Sequence, residues 1–381
     1  MKFDTSRWAV FLCMAVFFVK PVQIGIWFSR VAEVQYVLGL SKSQLALSLL
    51  GMPMGLLPTL YFAGKLVDKM GPRHALLWCF PPMLLVGVTP GLAVGPVSLF
   101  ASLFVLGSVV AFAEIGINVF AARVEKACGR SIMNRAHGFW SLGVMVGSLI
   151  GVQLAAFAFP AFTALAIGGA IMLPLLMVVA YVLPHIEAPE HHEAEEPAGR
   201  PIPVALYLIV VTVFGATLVE GGMIDWAAVY MREVAQFTSG REGLAVTVFS
   251  GFVTVGRFVG DAINTRFGAA VLARGCLSSA LLGVIVLASN FGPYPSFVGF
   301  ALVGLGVSTI FPLGVTASAA LSKRAEARNV SFMTFGALSG FLIGPPAIGF
   351  MAQATSLDVA FLLLVPGLIL SVTLAHRLAV K

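Results

Sequence analysis

Residues 64–76 read GKLVDKMGPRHAL, and residues 256–268 read GRFVGDAINTRFG. Each stretch closes one apolar run and opens the next. Each sets a small residue (Gly64, Gly256) ahead of an aspartate (Asp68, Asp261), with a basic residue five positions further on (Arg73, Arg266). Lys69 follows Asp68 directly, and Arg257 stands beside Gly256 at the head of the second stretch. An aspartate at a helix terminus accepts hydrogen bonds from a neighbouring helix end, and a basic partner balances its charge. Such a clasp locks one conformation and releases it in another. A solvated turn with ordinary topology charges is the plainer reading of one copy. Two copies at equivalent positions favour the clasp and point to an internal repeat.

The runs around these stretches are membrane spans. Of 381 residues, 59% are hydrophobic and only 10% charged, and the mean hydropathy is +0.98. A soluble chain is about half apolar and about a quarter charged. The few charges here cannot cover a water-facing surface, which excludes an ordinary soluble enzyme, a disordered chain and a nucleic-acid binder. Each membrane helix takes about 20 apolar residues, so twelve fill roughly 240 and leave the rest for short connections. The runs fall at 8–34, 43–64, 74–95, 97–121, 136–158 and 161–183, then at 203–231, 243–264, 270–291, 296–321, 330–354 and 357–377. The N-terminal run has no small-residue cleavage site and reads as the first span rather than a signal peptide. Cys13, Cys79, Cys128 and Cys276 are scattered, which suggests neither a disulfide framework nor a zinc site.

One polar insertion, HIEAPEHHEAEEPAGRP at 185–201, parts the chain into two halves of six spans. Its acidic, proline-containing composition reads as a flexible linker; His185, His191 and His192 are the alternative, a metal site. The expected domains are residues 1–184, a linker at 185–202, and residues 203–381. Orientation comes from the basic residues. Lys65, Lys69, Arg73, Arg123, Lys126, Arg135, Arg266, Lys323, Arg324 and Arg377 fall on one side with both termini, against mainly Lys42, Arg232 and Arg241 on the other. That bias puts the termini and linker in the cytoplasm and explains the net charge of +6.

The paired loop stretches and the six-plus-six layout resemble the major facilitator superfamily over nearly the whole chain. The first copy departs from the family pattern at Lys69, where arginine is usual, and at Pro72; neither change removes the charge pattern. Local stretches are similar to the fucose-permease-like branch and its bacterial inner-membrane relatives: GGMIDWAAVY at 221–230, GLGVSTIFP at 304–312 and NRAHGFWSLG at 134–143. The resemblance implies an all-α membrane protein of twelve transmembrane helices in two six-helix bundles, each bundle holding inverted three-helix repeats. It also implies alternating access to a solute, through a cavity lined by helices one, four, seven and ten. Drug and proton antiporters of the superfamily usually carry a basic residue in the fourth span and a proline in the glycine-rich fifth. This chain has neither, although its fifth span holds Gly138, Gly143, Gly147 and Gly151.

An ionisable residue inside a span is costly and marks a cavity or a partner. Lys20, Arg30 and Glu33 lie in span one, Glu114 in span four, and Glu220 and Asp225 in span seven. Lys20 opposite Glu114 or Glu220 makes a charge pair, either structural or titrating during transport. Apolar surroundings disfavour a charged carboxylate, which suits a proton carrier. The coupling candidates are therefore Glu114, Glu220, Lys20 and Asp225. Candidate solute contacts are Gln23, Asn118, His137, Trp140, Trp226, Tyr230, Ser308 and Thr309. The aromatic rings can stack on a sugar face, or Trp226 can anchor at the headgroup level. His137 can titrate near neutrality, and any of these polar groups can instead simply join helices. Pro312, Pro345 and Pro346 favour bends in spans ten and eleven.

There is no GxxxxGK[ST] loop, no HExxH and no nucleophile triad, which argues against ATP hydrolysis and enzymatic catalysis. No cofactor or metal is expected. The leading expectation is a monomeric, multi-pass secondary transporter of the bacterial inner membrane, surrounded by lipid. It moves a small polar organic solute such as a sugar, coupled to protons. Efflux of amphipathic compounds by proton antiport is the second transport reading. A non-transporting membrane receptor or assembly protein with the same fold is the alternative from another class.

Overall fold

In a bilayer core no water satisfies backbone N–H and C=O groups, so each apolar run folds as a helix that pairs them internally. The computed structural model describes residues 5–129, 132–186, 201–237, 240–322 and 325–379. Among them, twelve helices are long and apolar enough to cross a membrane, and no strand occurs. They are span 1 (Arg7–Leu38), span 2 (Lys42–Met70), span 3 (Pro72–Leu92), span 4 (Pro96–Cys128), span 5 (Met133–Ala156) and span 6 (Ala161–Val182). The second set is span 7 (Val204–Glu233), span 8 (Leu244–Phe267), span 9 (Ala269–Ala288), span 10 (Pro293–Ala320), span 11 (Arg328–Ala354) and span 12 (Leu357–Leu378). Spans 2 and 4 run on past the apolar stretches expected for them. Hydrophobic length fixes only the part inside the bilayer, and the charged ends of a helix continue into water. His191 and His192 lie outside the described residues.

The chain forms two compact units. Unit 1 is Met1–Pro189 with Phe237–Ser250, and unit 2 is Glu190–Gln236 with Gly251–Lys381. Inside unit 1, span 1 packs on span 5, span 2 on span 4 and span 3 on span 6. Inside unit 2, span 7 packs on span 11 and span 9 on span 12. Span 8 meets span 10 where Gly256 lies against Ser308 and Gly260 against Thr309. The same pairings recur in the same order, which is the internal repeat expressed as packing. Small residues make the closest approaches, because a bilayer offers no hydrophobic drive between helices and contact area decides. A side chain at Gly147 would run into the Val22 carbonyl of span 1. Large apolar groups such as Phe62, Trp78 and Phe335 stay exposed, as lipid-facing side chains do.

The two loop stretches share a backbone device. Span 2 ends at Gly71 with φ 76°, and span 8 is followed by Gly268 with φ 83°. Both angles lie in the region that only glycine adopts freely. Several spans are interrupted, among them spans 2 (at Leu50) and 12 (at Leu362–Leu364), and two of the breaks fall at polar residues. Span 1 is interrupted at Lys20 and Pro21, between helices Thr5–Val19 and Val22–Leu38. Span 10 is interrupted at Ser308 and Thr309, between Pro293–Val307 and Ile310–Ala320. Proline lacks the N–H that would bond four residues back, so Pro21 and Pro312 each release one carbonyl. Span 11, by contrast, stays helical through Pro345 and Pro346.

Candidate functional site

In unit 1 the polar residues gather at the break in span 1. Lys20 leaves the helix there, only 1% exposed, and forms an ion pair with Glu114 of span 4, which keeps 26% exposure. Of the two carboxylates read as possible partners for Lys20, Glu114 has it. One turn on, the Asn118 amide donates to the Glu114 carbonyl at 2.8 Å, so the two side chains share one stretch of span 4. Beside Lys20 lies a cavity of about 10 Å³, shared with Gln23, Trp27 and Gly87. That is close to the room one water needs. Gln23 is committed to packing, since its amide donates to the Leu84 carbonyl at 3.0 Å and to the Leu165 carbonyl at 3.2 Å. It thereby ties span 1 to spans 3 and 6. On span 5, His137 meets the Phe17 ring edge-on at 5.4 Å. One turn away, the buried indole N–H of Trp140 has no hydrogen-bond partner.

A second polar knot in unit 1 escaped the sequence reading as a site. Arg30 is buried, pairs with Glu33, and donates to the Gly151 carbonyl at 3.0 Å and the Phe159 carbonyl at 2.5 Å. Glu33 accepts the Ala161 N–H at 2.9 Å, at the start of span 6. The signal was two opposite charges three residues apart on one span. Their other partners are backbone groups, which leave no trace in residue type.

Unit 2 holds its own pair. Arg257 donates to Glu220 of span 7 at 3.4 Å, the two side chains keeping 9% and 14% exposure. Arg257 also donates through Nε to the Ser308 carbonyl at 3.3 Å. That carbonyl is the one whose helical donor would have been residue 312, a proline. The arginine therefore ties spans 7, 8 and 10 together at the break. Ser308 donates its hydroxyl to the Leu305 carbonyl at 2.7 Å, and Thr309 donates to Cys276 at 3.4 Å. Asp225 makes no ion pair or hydrogen bond among the described residues, although it lies within span 7. Trp226 and Tyr230 are wholly buried. The Trp226 N–H donates to the Pro345 carbonyl at 2.9 Å, and the Tyr230 hydroxyl to the Leu287 carbonyl at 2.7 Å. Their polar atoms are used inside unit 2, and neither ring sits at an exposed headgroup level.

The loop residues stand apart from both pairs. Asp68 and Lys69 are exposed, Gly64 half-buried, and Asp68 makes no ion pair among the described residues. Arg73 lies over the Tyr181 ring at 5.3 Å, joining spans 3 and 6. In the second copy Asp261 and Arg266 are exposed, with Arg266 over Phe267 at 5.1 Å. Asn264, Phe267 and Gly268 of that loop line a cavity of about 300 Å³ with Leu313, Thr316 and Leu378. Gly256 and Arg257 belong to the middle of span 8 rather than to its end.

Ionisable residues inside spans and discontinuous helices are features found at the solute sites of membrane transporters. Comparison with known proteins agrees. The profile described as Major Facilitator Superfamily matches residues 8–292 and 239–380. An uncharacterised MFS-type transporter of Yersinia pestis is 30% identical, over 91% of this chain and 89% of its own. An uncharacterised transporter of Sinorhizobium fredii is 28% identical, over 91% and 92%. Among solved structures, the Escherichia coli fucose:proton symporter FucP superposes with a TM-score of 0.70 at 16% identity, over 99% of this chain and 100% of its own. The nucleoside transporter NupG gives 0.71 at 14%, over 98% and 99%. These last two share the fold. The chain belongs to the Major Facilitator Superfamily and is a multi-pass membrane transporter of that family.

Proposed function

We propose that this transporter is a proton-coupled symporter that carries a small polar organic solute, such as a sugar, inward by alternating access. The observation that carries the reading is the Lys20–Glu114 pair at the break in span 1. A lysine this buried needs its carboxylate, because an unpaired charge in a span is costly. Glu114 keeps enough exposure to exchange a proton with water. Protonation there frees Lys20, and the freed ammonium seeks another acceptor, which the solute supplies. Asn118 lies one turn away, and the unpartnered Trp140 N–H offers a further donor. Asp225, without an ion-pair partner, is a second coupling candidate. Among proteins of the same fold, one carries fucose with a proton and another carries nucleosides.

In this reading residues 1–184 and 203–381 are the two six-helix bundles, joined by a cytoplasmic linker at 185–202. The basic bias of the loops supports cytoplasmic termini in a bacterial inner membrane. The protein works as a monomer among lipids. The loop residues Gly64, Asp68, Lys69, Arg73, Gly256, Asp261 and Arg266 act on the conformational change rather than on solute.

The test begins with a thermal-stabilisation screen of sugars, sugar acids, nucleosides and amphipathic cations on the purified protein. The compound that stabilises it is then followed into proteoliposomes under an imposed pH gradient. Gradient-driven uptake is expected in the native protein and lost in Glu114→Gln, while solute exchange without a gradient continues. Stabilisation by amphipathic cations alone overturns the polar-solute assignment. Gradient-driven uptake that survives Glu114→Gln overturns the role of Glu114.

A further inference from the structure

A lysine ammonium carries three N–H donors. Among the described residues that of Lys20, almost wholly buried, has one partner, Glu114. A buried donor without an acceptor costs free energy, and more so on a charged group. The cavity of about 10 Å³ beside Lys20 has apolar walls at Ile24, Met83 and Leu106. Its other walls are Lys20 itself, Gln23, Trp27 and Gly87. Gln23 is buried and spends its amide nitrogen on the Leu84 and Leu165 carbonyls, which fixes the amide. Its Oε1 accepts no hydrogen bond among the described residues. That oxygen lies against Gly87, where a Cβ would overlap it. Trp27 is buried too, and its indole N–H makes no hydrogen bond among the described residues. An ammonium, an amide oxygen and an indole thus border one small space, each with hydrogen-bonding capacity to spare.

We infer that this cavity is a binding site for one water molecule, which accepts a hydrogen bond from the Lys20 ammonium and donates one to Gln23 Oε1. The space matches a single water, and a buried water needs about three polar partners, which Lys20, Gln23 and the Trp27 N–H supply. Lys20 repels a cation there and the Gln23 oxygen repels an anion, so a neutral molecule fits. The site stands on packing alone, whereas its use rests on the symporter reading. Glu114 that has taken a proton no longer balances Lys20, and a lysine left alone inside a span is costly. The water gives the ammonium a second partner already in place. Lys20 therefore keeps its charge while Glu114 carries the proton, until the solute brings its own acceptor. Gln23 has two roles on this account: its nitrogen ties span 1 to spans 3 and 6, and its oxygen holds the water.

The experiment is X-ray radiolysis of the purified full-length protein, read by peptide mass spectrometry. Radiolysis makes hydroxyl radicals from water, including water held inside a protein, and these oxidise the side chains beside it. Met83 and Trp27 line the cavity, and the similarly buried Met223 and Trp226 of unit 2 are the controls. Met83 and Trp27 are expected to oxidise severalfold faster than Met223 and Trp226. In the double variant Lys20→Met with Glu114→Met that excess is expected to vanish. Leu106→Phe gives a second readout, because its ring enters the cavity and displaces the water. It is expected to lower the unfolding midpoint of the native protein, and to raise it or leave it unchanged in the double variant, which separates loss of the water from simple overpacking. Oxidation of Met83 and Trp27 no faster than the controls, or an excess that survives the loss of Lys20, overturns the inference. The same effect of Leu106→Phe in both backgrounds overturns it as well. None of these readouts involves transport, so the symporter reading stands or falls separately, on uptake by Glu114→Gln.

Discussion

Unit 1 places its cation, Lys20, on the broken span itself and reaches across to Glu114 on span 4. Unit 2 places its cation, Arg257, on an unbroken span and reaches back to the break in span 10. The carboxylates differ in kind as well. Glu114, part-exposed, pairs with a lysine that is almost wholly buried. Glu220 lies at 3.4 Å from an arginine already anchored elsewhere. A repeated fold therefore does not repeat its chemistry. One unit pairs an almost wholly buried lysine with a part-exposed glutamate, and the other pairs an arginine and a glutamate that are both largely buried.

The sharpest way to break that contrast is to delete each carboxylate. Glu114→Ala leaves Lys20 as a buried charge without its ion-pair partner, a loss of about 3–5 kcal/mol. It should appear as a large drop in the unfolding midpoint, with recovery in the double variant Lys20→Met with Glu114→Met. Glu220→Ala leaves Arg257 still bonded to Ser308, so the cost falls to about 1.5–3 kcal/mol. Equal costs for the two deletions would remove the distinction between the units.

Packing is the next test, because glycine contacts set both breaks. Gly147→Val forces a side chain into the Val22 backbone of span 1, and Gly256→Val forces one against Ser308 of span 10. Each should cost about 1–3 kcal/mol. Gly256→Val should also disturb the Arg257 contact with the Ser308 carbonyl next to it. Trp226→Phe removes one hydrogen bond to the Pro345 carbonyl, worth about 0.5–1.5 kcal/mol, and has no counterpart in unit 1. The smallest effect belongs to the loops. Asp68 is exposed and has no ion pair, so Asp68→Asn should change stability by less than about 0.5 kcal/mol. The proposed clasp is tested by transport rate, which should fall in the same variant. A clear stability loss would show instead that Asp68 already has a partner here.

Much of this was legible in the sequence for one physical reason: a membrane chain has so few charges that each must be accounted for. Twelve apolar runs gave the spans, and Lys20 with Glu114 stood out because buried charges need partners. The paired loops showed the repeat before the pairings of spans 1 with 5 and 7 with 11 confirmed it in packing. Arg257 was grouped with the loop stretch it adjoins, although the span expected at 243–264 already contained it. Ten residues of helix separate it from Phe267, about 15 Å along the axis, which carries it into the bilayer. The Arg30 and Glu33 charges were visible in the sequence, but what they join was not. Their partners are the carbonyls of Gly151 and Phe159 and the N–H of Ala161, and any residue supplies those. Trp226 and Tyr230 carried solute-binding chemistry in their side chains, but only the fold shows that chemistry turned inward onto backbone carbonyls.

The measurement that bears most directly on the central claim follows the proton itself. Protein is reconstituted in lightly buffered proteoliposomes, the stabilising solute is added outside, and external pH is recorded. The account predicts that solute addition alkalinises the medium with the native protein. It predicts no pH change with Glu114→Gln, although that variant still exchanges labelled solute. Solute entry with no pH change in the native protein, or undiminished alkalinisation with Glu114→Gln, would contradict it.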